Sequence, residues 1–170
     1  DVTLRGVVPE HLDAIVSVLE ECGCQISQPA EGELRLCCRE RIGAADKVRT
    51  SPYPGFPTDA QAPLMAMLAT ANGSSIITEN IFESRFKHVE ELVKMGANIK
   101  TDGRVAVIRG VESLSGARVT AGDLRGGAAL LLAALGASGT SEISGVSLID
   151  RGYEAPEQSF ASLGAEIVRR

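Results

Sequence analysis

"SIITENIFESRFKHVEELVKMGANI", residues 75–99, decides the fold, because its pattern occurs three times in the chain. It opens on a short strand, crosses a loop, runs into an amphipathic helix, and turns at Gly96 into a second strand. "VTLRGVVPEHLDAIVSVLEECGCQI" (2–26) and "EISGVSLIDRGYEAPEQSFASLGAEI" (142–167) follow the same order. Gly23, Gly96 and Gly164 each fit the position just past a helix end, where a positive φ is required. Leu19, Leu92 or Phe160 stands four residues before each glycine, and Cys22, Met95 or Leu163 one before. That spacing predicts one buried face on each helix. These helices are here called type A.

A second element occurs twice. "DAQAPLMAMLATANGSSIIT" (59–78) and "LRGGAALLLAALGASGTSEIS" (124–144) each read as an Ala- and Leu-rich helix, a glycine and a strand. A helix apolar on all sides is predicted to be buried. These helices are type B. After the first two A helices, "EGELRLCC" and "DGRVAVIRG" place an acid–Gly turn before an alternating strand, the signature of a hairpin. The unit is therefore strand, helix A, strand, strand, helix B, at a period of roughly seventy residues. Its boundaries fall near 1–58, 59–123 and 124–170. There are three A helices but two B helices, and the chain opens on "DVTLRG", a strand that elsewhere follows a helix B. The expectation is a piece of a longer chain, with a third helix B upstream of Asp1.

Composition narrows the function. A length of 170 residues suits one domain with a substantial core. Hydrophobic residues make up 44% and charged residues 23%, as in soluble globular proteins. A net charge of −5 argues against a nucleic-acid partner, which calls for a basic face. No apolar run is long enough for a membrane span, and no signal peptide is visible. Cys22 and Cys24 alternate, and Cys37 and Cys38 are adjacent. Neither pair has metal-ligand spacing and histidine is scarce, so the cysteines read as reduced thiols of a cytosolic protein.

Four motifs in order carry a family resemblance: "PGFPTDAQAP", "NIFESRFKHVEELVKMGANI", "GDLRGGAALLLAAL" and "IDRGYE". Together they resemble the UDP-N-acetylglucosamine 1-carboxyvinyltransferases, the enolpyruvyl transferases that open bacterial peptidoglycan synthesis, from Val2 to Ile167. The resemblance implies an α/β fold, most of one lobe of an inside-out α/β barrel built from the C-terminal half, with helices inside and sheets outside. It implies transfer of the enolpyruvyl group of phosphoenolpyruvate to the 3-hydroxyl of UDP-N-acetylglucosamine, with release of phosphate. It calls for no cofactor and places the reaction in the bacterial cytoplasm. The substrates are expected between this lobe and a second lobe of the same parent chain, which carries a loop with a reactive cysteine. None of the four cysteines here lies in a matching motif, and the chain alone is expected to be inactive.

Each candidate residue has a structural alternative. Asp59, after a loop stiffened by Pro52, Pro54 and Pro57, is either a helix N-cap with Thr58 or a rigidly held carboxylate able to take a proton from a hydroxyl. The resemblance implies the second, as general base and acceptor contact. Arg151 is either a solvated charge beside a turn or an anion ligand near a helix N-terminus, and the resemblance makes it a phosphoenolpyruvate contact. Asp123 and Arg125 read as a cap followed by a solvated charge. Counting back from Gly73 and Gly139, Arg125 falls where Asp59 does in the earlier repeat, and the resemblance places Asp123 and Arg125 near the reacting centre. Ile81 and Phe82 otherwise read as core and Arg85 as surface, but the resemblance implies that this segment lines the UDP-sugar pocket. His88 reads as structural, and Glu90, Glu91 and Lys94 as a solvated face. Two other functions stay open: the related shikimate-pathway enolpyruvyl transferase, and a non-catalytic repeat scaffold, which needs neither Asp59 nor Arg151.

Overall fold

The structure, a computed structural model, describes all 170 residues. The first repeat runs β1 (Val2–Arg5), α1 (Asp13–Glu21), β2 (Gln25–Ser27) and β3 (Glu33–Cys37). Then come β4 (Lys47–Arg49), α2 (Thr58–Leu68), β5 (Ser74–Thr78), α3 (Val89–Lys94), β6 (Asn98–Asp102) and β7 (Val105–Arg109). The last part is β8 (Arg118–Thr120), α4 (Leu124–Leu135), β9 (Glu142–Ser144), α5 (Val146–Ile149) and α6 (Pro156–Ser162). The type A helices are α1, α3 and α6, and the type B helices are α2 and α4. No helix is long and apolar enough to cross a membrane.

The three A helices end in the same way. Gly23, Gly96 and Gly164 have φ of 91°, 95° and 96°. In each case the amide one residue past the glycine donates back to the residue four before it. The bonds are Cys24 to Leu19 at 3.0 Å, Ala97 to Leu92 at 3.1 Å and Ala165 to Phe160 at 3.1 Å. This is the Schellman closure, with an apolar pair across it. It explains why the sequence spacing around the glycines repeats so faithfully.

Each B helix is enclosed by two parallel strands. β4 pairs with β5 (Val48 opposite Ile77) and β8 with β9 (Val119 opposite Ile143). The short strands β4 and β8 escaped the sequence pattern, since three residues carry too little alternation to register. The hairpin of β6 and β7 adds to β5, giving the order β4-β5-β7-β6, and β1-β3-β2 forms a separate antiparallel sheet. The strand expected after α6 does not form. β2 and β6 each pair with the strand that follows them, β3 and β7, and no such strand follows α6. Instead Arg169 turns back and pairs with Asp150 at 2.7 Å and Glu157 at 3.1 Å.

The B helices lie inside, packed on each other. Ala62 and Ala66 of α2 and Ala129 and Ala133 of α4 are buried small residues that allow close approach, whereas a Cβ on Gly126 would lie 3.0 Å from the Cβ of His88. A Cβ on Gly127 would lie 2.5 Å from Cγ1 of Ile149, so that glycine also lets α5 close over α4. Burial is not complete on every side. Leu132 and Leu135 of α4 stay 37% and 40% exposed. Leu132, Met67, Pro63, Ile15 and Leu19 line an apolar hollow of about 590 Å³ between α1, α2 and α4.

Two further polar ties join segments distant in sequence. The guanidinium of Arg41 donates to the carbonyls of Thr70, Ala71 and Val111 at 2.8, 3.1 and 2.8 Å, just past the end of α2. Glu91 was read as part of a solvated face, yet it accepts from the Thr120 amide of β8 at 3.0 Å as well as from Lys94.

Gly127→Ala should destabilise the chain by about 1–3 kcal/mol through overpacking against Ile149. Gly136→Ala, where nothing but a carbonyl lies within 4.0 Å, should be nearly neutral. Urea unfolding of both variants checks the pair, and equal stabilities would show that α5 does not need that glycine.

Candidate active site

Residues 50–57 close the loop ahead of α2. The Ser51 amide donates to the Phe56 carbonyl at 3.0 Å, and that of Gly55 to Pro52 at 2.9 Å. The Tyr53–Pro54 bond is cis. Pro57 holds an extended N-cap conformation and no side chain caps α2. Asp59 is the second residue of the helix, and its carboxylate turns outward. The capping alternative therefore does not hold for Asp59, whereas it does hold for Asp123. The Asp123 carboxylate accepts from the Gly126 amide at 2.7 Å and caps α4.

Asp59 is gripped by two arginines. Arg85 donates to Oδ1 at 3.0 Å and Arg125 to Oδ2 at 2.7 Å. Arg125 is the second residue of α4, as Asp59 is of α2, so the equivalence counted from the glycines is real in space. The Arg125 guanidinium also donates to the Tyr153 hydroxyl at 3.1 Å and lies over its ring at 5.5 Å. Arg85 lies over the Phe82 ring at 5.1 Å. Neither arginine is the freely solvated charge of the alternative reading. Their side chains are 20% and 24% exposed, against 56% for Asp59. Phe82 is not core either, being 49% exposed, and Ile81 is half-buried.

The electrostatics follow from this grip. The Arg125 hydrogen bond, with the charges of both arginines, outweighs partial burial and holds the Asp59 carboxyl below its ordinary 3.8. The same bond pushes the Arg125 pKa further up. As it stands, Asp59 is a charged but weak base. His88 lies behind this corner. Burial lowers its pKa to about 4 against the pull of Asp123, so the imidazole is neutral at pH 7.

Arg151 stands apart from this cluster. It follows the C-terminal end of α5, five residues before α6 begins, and is exposed with no ion pair. Its loop does border the site, since Tyr153 meets Arg125 and a Cβ on Gly152 would touch Leu124 at 2.8 Å. The cysteines lie elsewhere. Cys22 and Cys24 are buried, and burial pushes both thiols up to about 11.

The sequence reading passed over Glu79, which is 1% exposed. Its carboxylate accepts from the hydroxyls of Thr50 at 2.8 Å and Thr58 at 2.9 Å. It also accepts from the amides of Ile81 at 2.8 Å and Phe82 at 3.1 Å. A signal was present: Ser75, Ile77 and Glu79 share the inward parity of β5. Tyr153 was inside a quoted motif but not singled out.

The sequence profile of EPSP synthase (3-phosphoshikimate 1-carboxyvinyltransferase) matches residues 1–160. Among curated proteins, UDP-N-acetylglucosamine 1-carboxyvinyltransferase 2 of Caldanaerobacter subterraneus subsp. tengcongensis is 50% identical over 169 residues. UDP-N-acetylglucosamine 1-carboxyvinyltransferase of Anaeromyxobacter sp. (strain K) is 52% identical over the same length. Both alignments cover 99% of this chain and 40% of the relative, so the chain spans about 40% of the length of these relatives. Among solved structures, the enolpyruvyl transferase NikO from Streptomyces tendae superposes with a TM-score of 0.82 at 26% identity. That match covers 91% of this chain and 36% of NikO. EPSP synthase from Acinetobacter baumannii superposes at 0.63 with 21% identity, covering 83% of this chain and 34% of that one, and shares the fold.

A folded pKa held below the unfolded value stabilises above about pH 4, and the gain is lost as pH falls through the folded pKa. The Asp59 carboxyl should therefore titrate below 3.8 in carbon-detected NMR. Arg125→Ala should raise the midpoint more than Arg85→Ala. An unchanged midpoint in Arg125→Ala would show that the ion pair does not set it.

Proposed function

The chain belongs to the EPSP synthase family, and on that premise we propose that it forms most of one lobe of a UDP-N-acetylglucosamine 1-carboxyvinyltransferase. The parent moves the enolpyruvyl group of phosphoenolpyruvate onto the 3-hydroxyl of UDP-N-acetylglucosamine and releases phosphate, a step of bacterial peptidoglycan synthesis in the cytoplasm. The repeats at 1–58, 59–123 and 124–170 belong to this lobe, and a second lobe of the parent closes over it. The apolar hollow between α1, α2 and α4 suits a third helix of type B.

The observation that carries this reading is the Asp59 carboxylate, held by two arginines of other segments rather than by its own helix. A scaffold has no use for an outward carboxylate fixed in this way. The half-identical relatives favour the UDP-sugar acceptor over the shikimate-pathway one.

In this reading Asp59 orients the acceptor hydroxyl and takes its proton as the oxygen bonds to C2 of phosphoenolpyruvate, while the double-bond pair takes up a proton at C3. Phosphate then leaves C2 and a C3 proton is lost, which restores the double bond. Ile81, Phe82 and Arg85 line the nucleotide-sugar side. Asp123, through its cap, sets the start of α4 and so the reach of Arg125. Arg151, unpaired and exposed, is free to bind phosphoenolpyruvate. An anionic substrate near Arg125 competes with Asp59 for the guanidinium, and a carboxylate so released gains affinity for a proton. The weak base of the free lobe becomes a competent one when both substrates are present.

In the full-length parent, Asp59→Asn should lower kcat by roughly 10²–10⁴-fold with the fold intact. Near-normal turnover would overturn its role as base. Arg151→Ala should weaken phosphoenolpyruvate about 10- to 150-fold, the worth of a charge-assisted hydrogen bond, and Arg151→Lys less. UDP-N-acetylglucosamine should bind either Arg151 variant almost normally. Calorimetry with each ligand decides this, and equal losses for both would remove Arg151 from the assigned place.

A further inference from the structure

We infer that Glu79, a buried carboxylate outside the reacting cluster, is a positioning residue that holds both the base and the nucleotide-sugar edge in register. The inference rests on the function proposed above and adds a residue and a division of labour to it.

Three segments meet on this one side chain. Oε1 accepts from the Thr50 hydroxyl and from the amides of Ile81 and Phe82, and Oε2 accepts from the Thr58 hydroxyl. Thr50 begins the proline-rich loop and is itself fully buried. Its hydroxyl accepts in turn from the Asn80 amide at 2.8 Å, and its carbonyl from the Asn80 side chain at 3.2 Å. The Glu79 amide is fixed to the Arg104 carbonyl at 2.8 Å, which ties the arrangement to the β6–β7 turn. All four groups facing the carboxylate are donors, and no cation pairs with it. Burial of an ionised carboxylate is costly unless donors satisfy it, and four donors from three segments do so here.

The two oxygens point to different parts of the site. Through Thr58, Oε2 fixes the first residue of α2, beside Asp59. No side chain caps that helix start. Through the consecutive amides of Ile81 and Phe82, Oε1 fixes the turn that carries the Phe82 ring under Arg85. Arg85 then grips Asp59 at 3.0 Å. Glu79 thus controls Asp59 along two routes, one through its own helix and one through its arginine partner. It need not touch either substrate.

The two routes make separable kinetic demands on the full-length enzyme. Thr58→Val removes the Oε2 tie alone and should lower kcat roughly tenfold, with KM for UDP-N-acetylglucosamine within about twofold of wild type. Glu79→Ala strands the donors of both routes. It should lower kcat and also raise that KM, each by roughly tenfold or more. Glu79→Gln should recover most of both losses, because the amide oxygen can face the three donors of Oε1 and the amide nitrogen can donate to Thr58. If the Ala variant fails to fold, Thr58→Val and Glu79→Gln decide the matter. Variants with a lower melting temperature but unchanged kcat and KM overturn the inference, as does a Gln variant with a kcat loss as deep as that expected of the Ala variant. A wild-type parent that transfers no enolpyruvyl group overturns the underlying function instead, so the two failures are distinguishable.

Discussion

The close approach of α2 and α4 is the constraint on which the rest of the molecule depends. Two helices rich in buried alanine can bring their backbones together, and their N-terminal ends then meet at one corner. Position two of each helix faces that corner. In one copy it is Asp59 and in the other Arg125, and they lie 2.7 Å apart. Repetition of a unit would place identical side chains there. Divergence to opposite charges turns a site of repulsion into an ion pair. The pair is too open to water to matter greatly for stability, since exposed ion pairs contribute about 0–1 kcal/mol. Its worth lies in fixing where a carboxylate and a guanidinium point.

Two carboxylates near this corner are handled in opposite ways. Glu79 is sealed from water and surrounded by hydroxyls and amides that cannot leave. Asp59 is open and surrounded by arginine side chains that can. Neutral hydroxyls and backbone amides make a fixed framework, while arginine side chains make a reversible grip. The proposed role of Asp59, exchanging a proton with a substrate, calls for the second arrangement, and the framework that aims it calls for the first.

Much of this was legible in the sequence, for reasons that can be traced. The A helices were readable because Gly23, Gly96 and Gly164 have one conformational job and the residues around them share one closure. The B helices were readable because their apolar composition leaves no solvent face. The equivalence of Asp59 and Arg125 came from counting to a shared glycine. Other features needed three dimensions. β4 and β8 are too short to show a period. The cap could be assigned to Asp59 or Asp123 by residue preference alone, and only the extended backbone at Asp123 decides for the second. Glu79 escaped notice because a glutamate after a strand ordinarily faces water, and its parity was overlooked. The strand after α6 was foreseen from the repeat, but a strand exists only where another offers its edge.

The grip of Arg41 on three carbonyls has a consequence for how the chain comes apart. This arginine belongs to the first repeat, whereas Thr70 and Ala71, just past α2, and Val111, just past β7, belong to the second. Stacked repeat proteins usually fray from the ends, one module after another, because each touches only its neighbours. Here a single side chain ties three carbonyls of the second module to the first. Opening the first repeat releases all three at once. The segment just past α2 should therefore loosen together with α1 and its sheet, and the first two modules open as one body.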